Sequence, residues 1–242
     1  LKHFDAIYKQ ILQFCKMQIA TETIPATSLR VLLFRLLGLF ALAALPFVAL
    51  IRIAVWLHER YQTVAWISIL LAASITAALL FSYVIYIRNH FVKTAFTTQS
   101  LQRNYGITLA IVLIYCANGV WSISAANVKE AAVKQEFKAL HPILRLSIST
   151  LILFQKDLIL TDAERKPEDY RHLGLPDKQQ SLHYTQSTGY AHAVDIRTKG
   201  HGWIRNRLIQ SYFHLMGFNT LVHTGTAEHL HVSLWSLDSA GI

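Results

Sequence analysis

The chain has 242 residues, of which 53% are hydrophobic and only 15% charged, with a net charge of +9. A typical soluble domain carries about 25% charged residues, so the composition argues against an ordinary soluble protein. The basic balance does not point to nucleic acid. Residues 1–127 hold 10 Lys/Arg against 3 Asp/Glu, residues 128–242 hold 13 against 11, and the excess cations flank apolar runs, where they act as topology signals. The two cysteines are Cys15 and Cys116, so the second half has neither a disulfide framework nor a cysteine-based zinc knuckle.

In residues 3–19, Phe4, Ile7, Ile11, Phe14 and Met17 recur at helical spacing. They predict an amphipathic helix, lying at the cytoplasmic interface or packed on the spans that follow. Three apolar runs then read as transmembrane helices at about 31–57, 63–87 and 107–127. Each is long enough for a hydrocarbon core of about 30 Å. Arg35 and Arg52 lie near the ends of the first and can snorkel to the two interfaces. No secretory signal-peptide pattern is read ahead of these runs. Lys2, Lys9, Lys16 and Arg30 precede the first span, and Arg88, Lys93 and Arg103 lie in the loop over 88–106. By the positive-inside rule the N-terminus and that loop are expected in the cytoplasm, and residues 128–242 outside it.

The second half reads as alternating helices and strands. A helix is expected over 128–140, with Pro142 interrupting it, then an apolar helix over 144–154 and a short strand over 158–161. After a polar loop with Pro and Gly punctuation, residues 193–197 read as a strand and 203–216 as a helix. Ile204, Leu208, Tyr212 and Leu215 share one face of it, and Gly217 is expected at the C-cap. Strands over 218–223 and 229–234 are joined by the turn TGTAE. The expected fold class is α+β: a membrane domain over 1–127 with three transmembrane helices, followed by a small extracytoplasmic domain of antiparallel sheet plus helices over 128–242.

Nine of the 12 histidines lie after residue 127. His141, His172, His201 and His214 read as ordinary surface or core residues. His229 and His231 differ, because residues i and i+2 of a strand project to one face. Two imidazoles pointing together from an otherwise apolar strand suggest a metal, or a metal plus a hydrogen-bonding histidine. Asp195 stands inside the apolar strand AVDIR and needs a partner too, since a lone buried carboxylate is costly.

These residues carry a family resemblance. SLHYTQSTGYAHAVDIRT followed by EHLHVSLW resembles the zinc peptidases that cleave D-alanyl-D-alanine peptides in bacterial cell walls, and their fold relative, the amino-terminal signalling domain of hedgehog proteins. The family pattern is Ser-x-His, then Gly-x-Ala-x-Asp, then His-x-His. Ser181 and His183, Ala193 and Asp195, and His229 and His231 match its three parts. The resemblance covers roughly residues 145–236 and leaves the membrane half unaccounted for. From His183 to Asp195 the chain is about five residues longer than the pattern, which predicts a longer hairpin or loop at the rim of the site. His192 is the rival to His183 as a ligand, although on a regular strand it would face away from Asp195.

The resemblance implies zinc held by His183, Asp195 and His231, with a fourth position open for water, the arrangement of catalytic zinc sites. It implies Glu228 as the general base, with His223 as the fallback. Arg165 would hold a substrate carboxylate or the developing oxyanion, and His229 would steady the intermediate or orient a ligand. The expected protein is then a zinc metallopeptidase in a bacterial plasma membrane. Its partners would be the lipid bilayer and a peptidoglycan stem peptide. The other reading is a peptidase-like accessory subunit of a membrane complex, without hydrolytic activity.

Overall fold

The computed structural model describes residues 26–92, 97–166, 181–225 and 228–239. The helix expected over 3–19 lies outside them. The chain divides into two units, Leu1–Ala44 and Leu45–Ile242. Helices α1 (Ala26–Tyr61), α2 (Ala65–Ile87) and α3 (Thr98–Trp121) come first. Three stretches built on them, of 33, 27 and 24 residues, are long and apolar enough to cross a membrane. Even the shortest rises about 36 Å at 1.5 Å per residue, more than a hydrocarbon core needs. In the first unit, α1 exposes Phe34, Leu37 and Phe40, side chains suited to lipid rather than water.

All three spans differ in extent from the sequence reading. The first helix runs over Ala26–Tyr61 and so exceeds 31–57 at both ends. The third begins at Thr98, where the Thr97 side chain accepts a bond from Ser100 N and caps the helix. The second runs on through a π-helical turn, Arg88–Val92. The polar loop between them is accordingly shorter than 88–106.

Within the second unit, α2 buries Ala65, Ser68, Ile69, Ala72, Ala73, Thr76 and Ala77. This stripe of small residues lets neighbouring helices approach closely. Tyr105 of α3 reaches across to donate to Ser74 O at 3.4 Å, and its ring packs edge-on against Phe81. Past α3, the helix expected over 128–140 is broken: α4 covers Ala131–Glu136 and tightens into a 3-10 turn, Phe137–Ala139. Pro142 does not interrupt a helix but starts one. It occupies the first turn of α5 (Pro142–Phe154), where its missing N–H costs nothing. Almost the whole first three turns of α5 are buried, Arg145, Ser147 and Thr150 included. Gly119 of α3 lies against it: a Cβ there would meet Leu146 Cδ1 at 2.9 Å, and Ser149 Oγ donates to Gly119 O at 2.6 Å.

The sheet is antiparallel with four strands in the order β1 (Leu160–Asp162), β2 (Ala193–Arg197), β4 (His229–Ser233), β3 (Asn219–His223). Val194, Ile196, Leu230 and Val232 alternate onto one face and are buried there. Asp195, His229 and His231 fall on the other. Helix α6 (Trp203–Met216) ends at Gly217 with φ +101°, the left-handed C-cap that glycine accepts freely. Of the face read from the sequence, Tyr212 packs against the core and donates to Ser147 O, while Ile204, Leu208 and Leu215 are exposed; Ile209, Phe213 and Met216 are buried. Two apolar stripes exist on this helix, and the one with Phe213, which packs edge-on against Phe218, meets the core.

Candidate metal centre

Strand register assembles the site. Asp195 of β2 and His231 of β4 are paired residues, so their side chains leave the same face of the sheet side by side. Asp195 Oδ1 lies 2.9 Å from His231 Nδ1. His183 arrives from the loop ahead of β2. Its Nε2 is 3.2 Å from His231 Nδ1 and 3.4 Å from Asp195 Oδ1. His183 and Asp195 are buried, and His231 is half-buried.

The donor set fits a metal ion. Two imidazole nitrogens and one carboxylate oxygen make a triangle with sides of 2.9, 3.2 and 3.4 Å. Tetrahedral ligands at 2.0–2.1 Å from a zinc ion stand about 3.3 Å apart. The orientation of His183 is fixed from behind. Its Nδ1 donates to Ala163 O at 2.6 Å, so Nε2 turns a lone pair toward the other two donors. This carbonyl contact is the outer bond that ligating histidines characteristically make. The triangle can therefore hold a positive ion: a metal, or protons shared among the three groups. Burial alone would raise the Asp195 carboxyl. Hydrogen bonds and charge from His183 and His231 more than reverse that and hold it well below the usual carboxylate range.

The remaining predicted residues fall into two groups. Arg165 and His229 adjoin the triangle. The Arg165 guanidinium lies 3.2 Å from Asp195 Oδ2 and also binds Asp162, while its backbone N–H donates to His183 O. The group expected to hold substrate is thus engaged with two carboxylates. His229 Nε2 is 3.6 Å from Asp195 Oδ2, and its ring stacks on His223 at 4.5 Å. Glu228 stands apart: it is exposed, immediately before β4, and among the described residues no hydrogen bond or ion pair joins it to the triangle.

The residues between His183 and Asp195 form a compact hairpin closed by the Thr185–Ala191 bridge, with Gly189 at φ +81° in its turn. Gln186 is its internal brace, donating to Ser181 O and Tyr184 O and accepting from Ser236 Oγ. The hairpin sends His192 elsewhere. His192 lies fully buried beside His58 and His141, and these three form a second group able to hold a metal ion. Sequence reading missed that group, treating His141 as ordinary and His192 as a rival to His183. A groove of about 420 Å³ is lined by Trp56, Glu59, Arg60, Gly217, Asn219 and Trp235, so none of the donors of either group lines it. No protein-family model, curated protein or solved structure matches this chain.

Proposed function

We propose that this protein is a membrane-anchored, zinc-dependent hydrolase of D-alanyl-D-alanine-type bonds in peptidoglycan stem peptides. The observation that carries the reading is the triangle of His183 Nε2, His231 Nδ1 and Asp195 Oδ1. Two histidines and one carboxylate would hold zinc through three protein ligands, as catalytic rather than structural sites do. Zinc bound there would supply Lewis acidity toward a carbonyl and toward water near neutral pH. The chain's own groups do the rest. His183 is held in its tautomer by Ala163 O. Arg165 and His229 flank Asp195 on its outer oxygen and steady its orientation. Glu228, at the rim before β4, is the proton acceptor in this reading.

The charges of the loops support the placement of the catalytic half outside the cytoplasm of a bacterial plasma membrane. Lys2, Lys9 and Lys16 precede the first span and Arg30 stands at its start, while Arg88, Lys93 and Arg103 cluster at and between the adjoining ends of the second and third. In a background with Cys15 and Cys116 replaced, a cysteine at Lys199 should react with an impermeant thiol reagent on intact cells, and one at Thr97 should not. The reverse pattern overturns the orientation.

A second reading, an accessory subunit with a peptidase-like domain and no hydrolysis, draws on two observations: Arg165 is engaged with Asp162 and Asp195, and Glu228 is exposed and, among the described residues, not bonded to the triangle. Mass spectrometry of released muropeptides separates the readings. Glu228→Gln should keep zinc and lose roughly 10²–10⁴-fold in rate, the usual worth of a general base. Wild-type protein with zinc bound that leaves every stem peptide intact supports the accessory subunit instead.

A further inference from the structure

We infer that His58, His141 and His192 form a second metal centre, separate from the His183–Asp195–His231 triangle, that takes a first-row transition ion and fastens the end of α1 to the sheet domain. The three residues come from three segments: the last turn of α1, the residue before α5, and the residue before β2. They are 5%, 0% and 0% exposed. Ring centroids are 4.5 Å apart for His58–His141, 4.7 Å for His141–His192 and 5.9 Å for His58–His192. One donor atom from each lies within 4.8 Å of the others. An ion with tetrahedral edges of about 3.3 Å would draw each donor inward by less than about 1 Å.

The hydrogen bonds define which atoms are available. His58 Nδ1 donates to Thr63 O at 2.8 Å, and His192 Nδ1 donates to Trp235 O at 3.1 Å. A carbonyl only accepts, so both Nδ1 atoms carry their protons and both Nε2 atoms present lone pairs. This is the same carbonyl-backed tautomer as His183 in the first site. The Thr188 hydroxyl, 2.7 Å from His192 Nε2, now donates to that lone pair and gives up the bond when an ion binds. His141 supplies an independent observation. Both of its ring nitrogens are sealed from solvent, and among the described residues neither has a hydrogen-bond partner. Leaving a buried polar group unpaired destabilises the fold, and a metal ion gives one of the two nitrogens its partner.

The backbone around the cluster is already in place. His141 N donates to Ala191 O, Ala191 N to Ala139 O, and Leu234 N to His192 O. The site is therefore largely organised before an ion arrives. Its ligands are neutral imidazoles, the protonation state that metals require. Burial lowers His141 well below the usual histidine value and His192 to about 4. Imidazole donors without a carboxylate suit zinc, copper or nickel and exclude calcium and magnesium. Arg145, whose guanidinium lies over the Tyr190 ring, repels an ion electrostatically, so binding depends on the imidazole bonds themselves.

The test uses the full-length protein in detergent, loaded with zinc and dialysed against a weak chelator that strips surface histidines. Metal content and zinc X-ray absorption are then read together. With both centres filled, the protein should hold two zinc ions per chain. His231→Ala should keep one, ligated by three imidazoles, and adding His141→Gln should remove it. If the variants do not fold, wild-type protein decides alone. One zinc ligated by three imidazoles supports this centre and counts against the first. One zinc ligated by two imidazoles and a carboxylate overturns this centre and leaves the first standing.

Discussion

Asp195 and His231 face each other across β2 and β4, with Oδ1 2.9 Å from Nδ1. A one-residue slip of either strand would send one of these side chains into the core and bring Val194 or Val232 to the site. The buried face of Val194, Ile196, Leu230 and Val232 therefore holds the two candidate ligands in register as well as stabilising the sheet.

Asp195→Asn keeps the size of the side chain and removes its charge. It takes away a direct ligand, so zinc affinity should fall by more than the roughly 10–100-fold that an outer partner contributes. Competition with a chromophoric chelator measures it. Unchanged affinity would mean that the carboxylate is not a ligand.

Arg165→Ala should act on stability before it acts on substrate. It removes the guanidinium from Asp162 and from Asp195, which is 3% exposed and keeps its contacts to His183 and His231. The metal-free protein should lose about 2 kcal/mol, the usual worth of a hydrogen bond to a charged group. Zinc should recover part of the loss by neutralising Asp195. A variant as stable as wild type that has lost affinity only for peptides with a free carboxylate would restore the substrate-clamp role.

Gly119→Val places a branched side chain where a single Cβ already meets Leu146 Cδ1 at 2.9 Å. Overpacking of this kind costs typically 1–3 kcal/mol. Adding Leu146→Ala should recover part of that cost, giving a coupling term in a double-mutant cycle of thermal unfolding in micelles. Strictly additive effects would mean that α3 and α5 do not touch there.

Acid should destabilise the metal-free protein through its second histidine cluster. His141 and His192 are held below the usual value chiefly by burial, with His58 and Arg145 adding repulsion and Asp238 opposing it at His192. The Tyr190 ring packs edge-on against His141. The unfolded chain takes up these two protons from about pH 6.5 downward, while the folded chain does not. Stability should fall as pH drops below 6.5 and keep falling toward 4, by on the order of 1 kcal/mol per group per pH unit. Denaturant melts in chelator between pH 7 and 5 measure the slope, and His192→Gln should make it shallower. A flat profile would contradict the burial of these rings.

Local pattern made much of this fold legible. The strand AVDIR, the helix over 203–216 and its glycine cap appear where the periodicity and the cap residue put them. Other features depend on tertiary partners that no local pattern reveals. Helix α6 carries two apolar stripes, and the partners Phe218 and Ser147 show which of its side chains meet the core. Pro142 reads equally as a stop or a start until α5 is seen to begin there. For the metal centre, strand alternation placed His229 and His231 on one face, and the same alternation turned His192 away from Asp195. What brings His183 in is the hairpin braced by Gln186, a long-range arrangement. The second cluster joins residues 58, 141 and 192. At such separations each histidine looks ordinary, and the one local signal was a histidine directly before a helix-starting proline.

Anomalous diffraction at the zinc edge from crystals of the zinc-loaded protein tests the central claim most directly. The account predicts a peak between His183 Nε2, His231 Nδ1 and Asp195 Oδ1, about 2.0–2.1 Å from each nitrogen. Those three side chains still bonded to one another with no peak among them, in crystals shown to contain zinc, would contradict it.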